Sequence, residues 1–203
     1  MEQNNKEMVL CISGMAGSGK STLSKRLAEV YKLEYHSGGD ALKRLAYDMG
    51  YKTQSRGWWE SDEGISFLQK RAKNLNLDLK IDSMMIKWGK QGGVVLDSWV
   101  ISWIFKDGFK IWLEASKETR TKRIAERDNI SFADAKKFLQ SKERRTKLIF
   151  KKLYGFSLGE NFEPFNLILD VNILSSEEVF QVVNSVIDET FRKSKHLESI
   201  CVK

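Results

Sequence analysis

Apolar and polar positions along this chain follow two different periods. Five short runs, Val9 to Ser13, Glu34 to Ser37, Val94 to Asp97, Phe109 to Glu114 and Leu167 to Val171, read as buried strands. Between them the period changes to that of a helix. Ser21 to Tyr31 carries Leu23, Leu27 and Val30 on one face, and a second helix begins at Ser116 and runs to Arg127. Ser131 with Asp134 forms a capping pair that opens a long basic helix. Ser175 with Glu178 does the same for an amphipathic helix bearing Val179, Val182, Val183, Val186 and Ile187.

Apolar strands separated by helices predict a mainly parallel sheet covered on both faces, a three-layer α/β domain of the doubly wound kind. Ligands of such sheets bind beyond the carboxyl ends of the strands. The polar residues that stand there are therefore informative: Gly14 follows the first strand, Gly38 to Asp40 follow the second, and Asp97 closes the third.

Composition narrows the class without changing this picture. A length of 203 residues suits one domain, 1–203, and 41% hydrophobic with 30% charged residues fits an ordinary globular chain. A net charge of +7 favours anionic partners such as nucleotides or nucleic acid, and equally describes a lysine-rich surface. Two cysteines, Cys11 and Cys201, are too few for a disulfide framework or a cysteine-based metal site. There is neither a charged-then-apolar leader nor an apolar run long enough to span a bilayer, so a cytoplasmic protein without a membrane partner is expected. His36 and His196 are scattered and no Ser/His/Asp pattern appears, which leaves a nucleophile-based hydrolase unsupported.

The strongest chemical signal is "GMAGSGKST", residues 14 to 22: Gly14, four residues, then Gly19, Lys20 and Ser21, between a strand and a helix. Glycines at 14, 17 and 19 let the backbone curl so that its N–H groups point inward, and the helix behind them adds the positive end of its dipole. Gly14, Met15, Ala16, Gly17, Ser18, Gly19, Lys20, Ser21 and Thr22 are thus expected to hold the phosphates of ATP. Lys20 neutralises β- and γ-oxygens, and Ser21 is a ligand of Mg²⁺.

A second anion site is expected at "SGGDALKRLA" (37 to 46), where a glycine-bearing turn enters a helix. Ser37 and Asp40 cap or orient, and Lys43 and Arg44 supply charge; the alternative is an ordinary capped helix with a solvated basic side. Asp97 ends "VVLD" beside the loop strand, a position from which a carboxylate holds magnesium or orients the acceptor. Arg120, Arg123 and Arg127 share one helical face, and "KERRTK" (142 to 147) puts Arg144 and Arg145 on the next helix. These arginines close over a triphosphate in one reading and pair with Glu118, Glu126 and Glu143 in the other. Trp58, Trp59, Trp99 and Trp103 offer stacking surfaces or ordinary packing.

Four stretches, "GMAGSGKSTLSKRLAE", "SGGDALKRLA", "RTKRIAERDNIS" and "KKLYGF", in this order and at these separations, resemble the archaeal-type cytidylate kinases of the nucleoside monophosphate kinase group, over about residues 8 to 190. The resemblance implies a P-loop kinase fold with a parallel five-stranded core, an acceptor-binding helical insertion at about 38–90 and a short lid at about 127–155. It implies Mg²⁺-dependent transfer of the ATP γ-phosphoryl to a nucleoside monophosphate, CMP or dCMP first; a monomer is expected. Ser37, Asp40 and Lys43 then approach the acceptor, and Arg127 with Arg144 or Arg145 belongs to the lid. The chain departs from the family in two places. Where the family reads Glu-Gly-Arg after the third strand, this chain has Asp97, Ser98 and Trp99, and Ser83 and Met84 stand at or near expected arginines. Phosphoryl transfer is carried over more fully than cytosine specificity, with Trp99 available to stack on another acceptor. Two alternatives stay open: a P-loop kinase of another small molecule, and a nucleotide-binding regulatory or RNA-associated protein.

Overall fold

Leu10, Cys11 and Ile12 have no exposed surface, because the strand they form, β1 (Val9–Gly14), lies in the middle of the sheet. The structure, a computed structural model, describes residues 7–54 and 58–201, with Glu60 and residues 192–201 described by their backbone alone. The side chains of His196 and Cys201 therefore lie outside the described residues.

After β1 the chain forms α1 (Lys20–Tyr31), β2 (Glu34–Ser37) and α2 (Gly38–Asp48), then a short 3₁₀ turn at Trp58–Glu60. Next come α3 (Asp62–Lys73), α4 (Asn76–Gln91), β3 (Val94–Asp97), α5 (Ile101–Ile104) and β4 (Phe109–Glu114). The hairpin α6 (Lys117–Asp128) and α7 (Phe132–Tyr154) precedes β5 (Leu167–Asp170) and α8 (Ser176–Cys201). The strands order as β2-β3-β1-β4-β5 and every pairing is parallel. The chain departs in opposite directions on the two sides of β1, which opens a crevice above the β1/β3 boundary. Register brings the ends of β2 and β3 level there, Ser37 opposite Asp97, while β1 runs two residues past Ile12, the partner of Asp97.

Alternation along β1 sorts the core. Leu10 and Ile12 pack with Leu27, Val95, Ile111, Val183 and Ile187 under α1 and α8. Val9 and Cys11 pack with Leu96, Met85, Phe67, Trp58 and Ile101 under α2 to α5. Each fully buried side chain of this size contributes about 1.5–3 kcal/mol.

The helix starts follow the expected caps. Ser116, Ser131 and Ser175 accept from the backbone N–H three residues on, and Glu178 returns a bond to the Ser175 N–H at 2.8 Å. Three expectations are corrected. Val30 is 53% exposed, because the buried arc of α1 runs through Ser24, Leu27, Ala28 and the half-buried Tyr31, and Val30 falls off its edge. Val182 is likewise exposed, since the stripe of α8 is the narrow row Val179, Val183 and Ile187. The strands β2 and β5 are not fully buried, because each is an edge strand with one side unpaired.

Candidate active site

The loop between β1 and α1 takes the conformation that its glycines permit. Gly17 and Gly19 have φ of 81° and 95°, and a Cβ on Gly17 would stand 2.7 Å from the carbonyl oxygen of Arg120. The loop is thus pressed against the first turns of α6. Two arginines of that helix brace it: Arg120 donates to the carbonyls of Ala16 at 3.1 Å and Ala115 at 2.9 Å, and also pairs with Glu143 on α7. Arg123 donates to the carbonyls of Ser18 at 3.4 Å and Val171 at 2.7 Å. The Ser18 hydroxyl is buried with no protein partner, which fits a loop whose remaining donors serve a ligand.

Two cavities meet at this loop and share Gly17, Lys20, Ser21, Ile124 and Arg127. One lies between the loop, α6 and α8, with Ser18, Gly19, Thr22, Arg123, Val179 and Phe180 on its walls. There the Arg26 guanidinium sits 3.7 Å over the Phe180 ring, held by both oxygens of Glu177. The other extends beneath α2, α3, α4 and α7 and is lined by Ser37, Asp40, Arg71, Asp78, Asp82, Asp97, Trp99 and Lys142.

Two sets of charged groups line this second cavity. At the strand ends, Asp97 is 2% exposed and accepts a 3.0 Å bond from Tyr35, and the Lys20 ammonium lies 5.8 Å from the Trp99 ring. Burial lowers the Lys20 pKa, Asp97 draws it back up, and Arg127 and Arg120 lower it further. Anionic oxygens at this place would relieve that strain. On the same cavity wall, Arg71 donates to both carboxylate oxygens of Asp78, its Nε at 3.1 Å to each and Nη2 at 2.5 Å to Oδ1, in a pair that is almost wholly buried. One helical turn along α4, Asp82 accepts a 2.8 Å bond from the Tyr154 hydroxyl. Among the described residues no cluster of three His, Cys, Asp or Glu occurs. Ser21 and Asp97 both line the cavity and suit a hard cation that takes its other oxygens from phosphate and water.

Of the residues singled out from sequence, Ala16, Gly17, Lys20, Ser21, Ser37, Asp40, Asp97, Trp99 and Arg127 line the second cavity. Ser18, Gly19 and Thr22 line the first, while Gly14 and Met15 are buried beneath the loop. Others fall elsewhere. Lys43 lines neither cavity, and its neighbour Arg44 pairs with Asp48 at 3.1 Å. Arg144 is exposed, and Arg145 lines a separate hollow with Ile65 and Ile130, because the face of α7 toward the cavity is Phe138, Lys142, Thr146 and Phe150, four residues apart. His36 stacks on Trp88 at 3.8 Å, outside the crevice. Ser83 and Met84 are exposed, while Asp78, Ile81 and Asp82 form the wall that α4 contributes. Trp58 is core, at 1% exposure, while Trp59 is on the cavity wall.

The sequence reading missed Arg71, Asp78, Asp82, Lys142 and Tyr154. A signal existed for two of them: Asp78 and Asp82 are spaced i, i+4 on the same face of α4 as Leu77, Ile81 and Met85. Carboxylates on an apolar stripe are costly and so invite a functional explanation.

Comparison with known proteins agrees with this geometry. Residues 9–173 match the cytidylate kinase-like family. The chain is 31% identical over 182 residues to the cytidylate kinase of Ignicoccus hospitalis, covering 88% of this chain and 98% of that one. It is also 31% identical over 196 residues to the cytidylate kinase of Pyrobaculum calidifontis, covering 96% and 100%. Among solved structures, the shikimate kinase of Bacteroides thetaiotaomicron has the same fold, with a TM-score of 0.55 at 12% identity over 89% of this chain and 98% of that one. The α/β sheet, the glycine loop and the extent of the match together make this chain a member of the cytidylate kinase-like family.

Proposed function

We propose that the protein transfers the γ-phosphoryl group of ATP to the phosphate of a nucleoside monophosphate, with CMP or dCMP as the first acceptor. The observation that carries this reading is the junction of two cavities at Lys20, Ser21 and Arg127, one on each side of the glycine loop. The segment 38–90, with α2 to α4, serves as the acceptor-binding insertion, and 127–155 as the lid.

The chemistry asked of the chain is positioning and charge neutralisation. The loop N–H groups and the start of α1 cradle the donor phosphates, and Lys20 follows the group as it passes from one cavity to the other. Ser21 and Asp97 are the residues that would hold Mg²⁺, which when bound neutralises β- and γ-oxygens. Arg127 stands on the shared wall and meets charge that develops at the transferring group. Lys142 and Thr146 present α7 to the same space, so that movement of the hairpin excludes water from the reaction.

The test is a panel of nucleoside monophosphates with MgATP, run beside Lys20→Ala. The expected result is acceptor-dependent turnover that falls about 10²–10³-fold in the variant, because the lysine charge is needed more in the transition state than in the ground state. ATP turnover at one slow rate with and without every acceptor overturns the reading. One observation favours a second acceptor class: Trp99 stands at the strand end, where an aromatic ring cannot make the forked bond of an arginine. Identification of the product by mass spectrometry separates a nucleoside diphosphate from a phosphorylated non-nucleotide.

A further inference from the structure

We infer that Asp128, the last residue of α6, is a positioning residue for Arg127: its carboxylate holds that guanidinium in one pose at the junction of the two cavities, where it meets the transferring group. The inference rests on the phosphoryl-transfer reading above and adds to it the residue that sets the direction of the arginine.

The three arginines of α6 are put to different uses. Arg120 and Arg123 donate to backbone carbonyls in and around the glycine loop. Arg127 stands on the wall that both cavities share, and its side chain is 55% exposed. There its Nε donates to Oδ1 of Asp128 at 2.8 Å and its Nη2 to Oδ2 at 2.5 Å. The Asp128 side chain that receives this fork is only 3% exposed and lines neither cavity. The long side chain thus reaches the ligand space, and the short, buried one anchors it.

The pair runs against two ordinary tendencies of a helix. Consecutive residues point about 100° apart, so side chains at i and i+1 do not normally face each other. The fork closes only with the Arg127 stem laid sideways toward the helix end, a conformation that the carboxylate selects. An acid in the last turn also opposes the helix dipole, which favours cations there. The helix stops immediately afterwards, Asn129 taking a φ of 55° and the Ile130 N–H donating to the Ala125 carbonyl at 3.1 Å. Asp128 therefore stands at the corner where α6 gives way to α7, and its charge is offset by the arginine it holds. Gripping two nitrogens of the guanidinium removes rotamer freedom before a substrate arrives. A charge already in place stabilises a transition state more than one that has to be ordered during the reaction.

The experiment uses MgATP and the best acceptor of the panel above, and measures kcat and both Michaelis constants. The proteins are the wild type, Asp128→Asn, Asp128→Glu, Arg127→Ala and the double variant Asp128→Asn with Arg127→Ala, each checked by thermal melting. Asp128→Asn is expected to lower kcat about tenfold and to leave both Michaelis constants within about twofold, because the pose lost is needed in the transition state. Asp128→Glu, which keeps a forked carboxylate, should recover most of the lost rate. In the Arg127→Ala background the Asp128→Asn change should cost less than about twofold, since the group through which it acts is gone. A tenfold loss that persists in that background overturns the inference and spares the kinase reading, as does an unchanged kcat in Asp128→Asn. If neither Asp128 variant folds, the carboxylate is a brace of the helix end and the inference falls. Failure of the wild type to phosphorylate any nucleoside monophosphate overturns both readings.

Discussion

Tyr35 reaches from the edge strand β2 to Asp97 at the end of β3, its hydroxyl donating to Oδ2 at 3.0 Å. Burial and the carboxylate beside it hold the phenol above its ordinary pKa, so it remains a donor throughout the working range of an enzyme. On the function proposed above, the bond leaves the other oxygen of Asp97 for the cation. In Tyr35→Phe the Mg²⁺ concentration giving half-maximal rate should rise several-fold, with a loss of about 0.5–1.5 kcal/mol in stability. A magnesium titration of the rate, beside a thermal melt, checks both.

Gly17→Ala places a methyl group 2.7 Å from the Arg120 carbonyl at a φ of 81°. The loop and the start of α6 have to separate, at a cost on the order of 1–3 kcal/mol. The melting temperature should fall by several degrees, and the Michaelis constant for ATP should rise at least tenfold. An unchanged constant for ATP would mean that the loop does not hold the donor.

Lys142 and Arg144 lie two residues apart on α7 and have different surroundings. Lys142 lines the cavity beneath α2 to α4, its ammonium 4.8 Å from the Trp59 ring and 5.1 Å from that of Phe138, while Arg144 is exposed. Lys142→Ala is expected to lower kcat/KM at least tenfold and Arg144→Ala less than twofold. Steady-state kinetics on the pair settles which face of the helix serves the reaction.

Asp82 also makes stability depend on pH. Its pKa is 3.8 for a free carboxyl and about 7 in the fold. Between these values the unfolded chain has released the proton that the folded chain keeps, so raising the pH favours unfolding. The wild type should therefore lose stability from pH 5 to pH 8, and Asp82→Asn should show a flatter curve. Urea denaturation at four pH values measures the difference.

The fold was largely legible because its signals are local. "GMAGSGKST" needs only its own spacing, and the strands ending at Ser37, Asp97 and Glu114 each carry a contiguous pattern. The other cavity was not legible to the same degree, because its contacts arise only when separate helices pack together. Arg71 and Asp78 meet only when α3 folds back on α4, and Tyr154 reaches Asp82 across 72 residues. Arg144 and Arg145 looked like lid residues because charge was read without phase; the periodicity running through Phe138, Lys142, Thr146 and Phe150 turns them away. Lys43 on α2 likewise lines neither cavity.

The guanidinium of Arg120 touches three parts of the chain at once: the Ala16 carbonyl in the glycine loop, the Ala115 carbonyl after β4, and Glu143 in the middle of α7. α7, which lines one cavity, is thereby tied to the loop that both cavities share. Glu143 lies outside the lining of both cavities, yet its charge pulls on the prop beneath Ala16. One guanidinium thus fastens the glycine loop, the end of β4 and the middle of α7 into a single rigid corner.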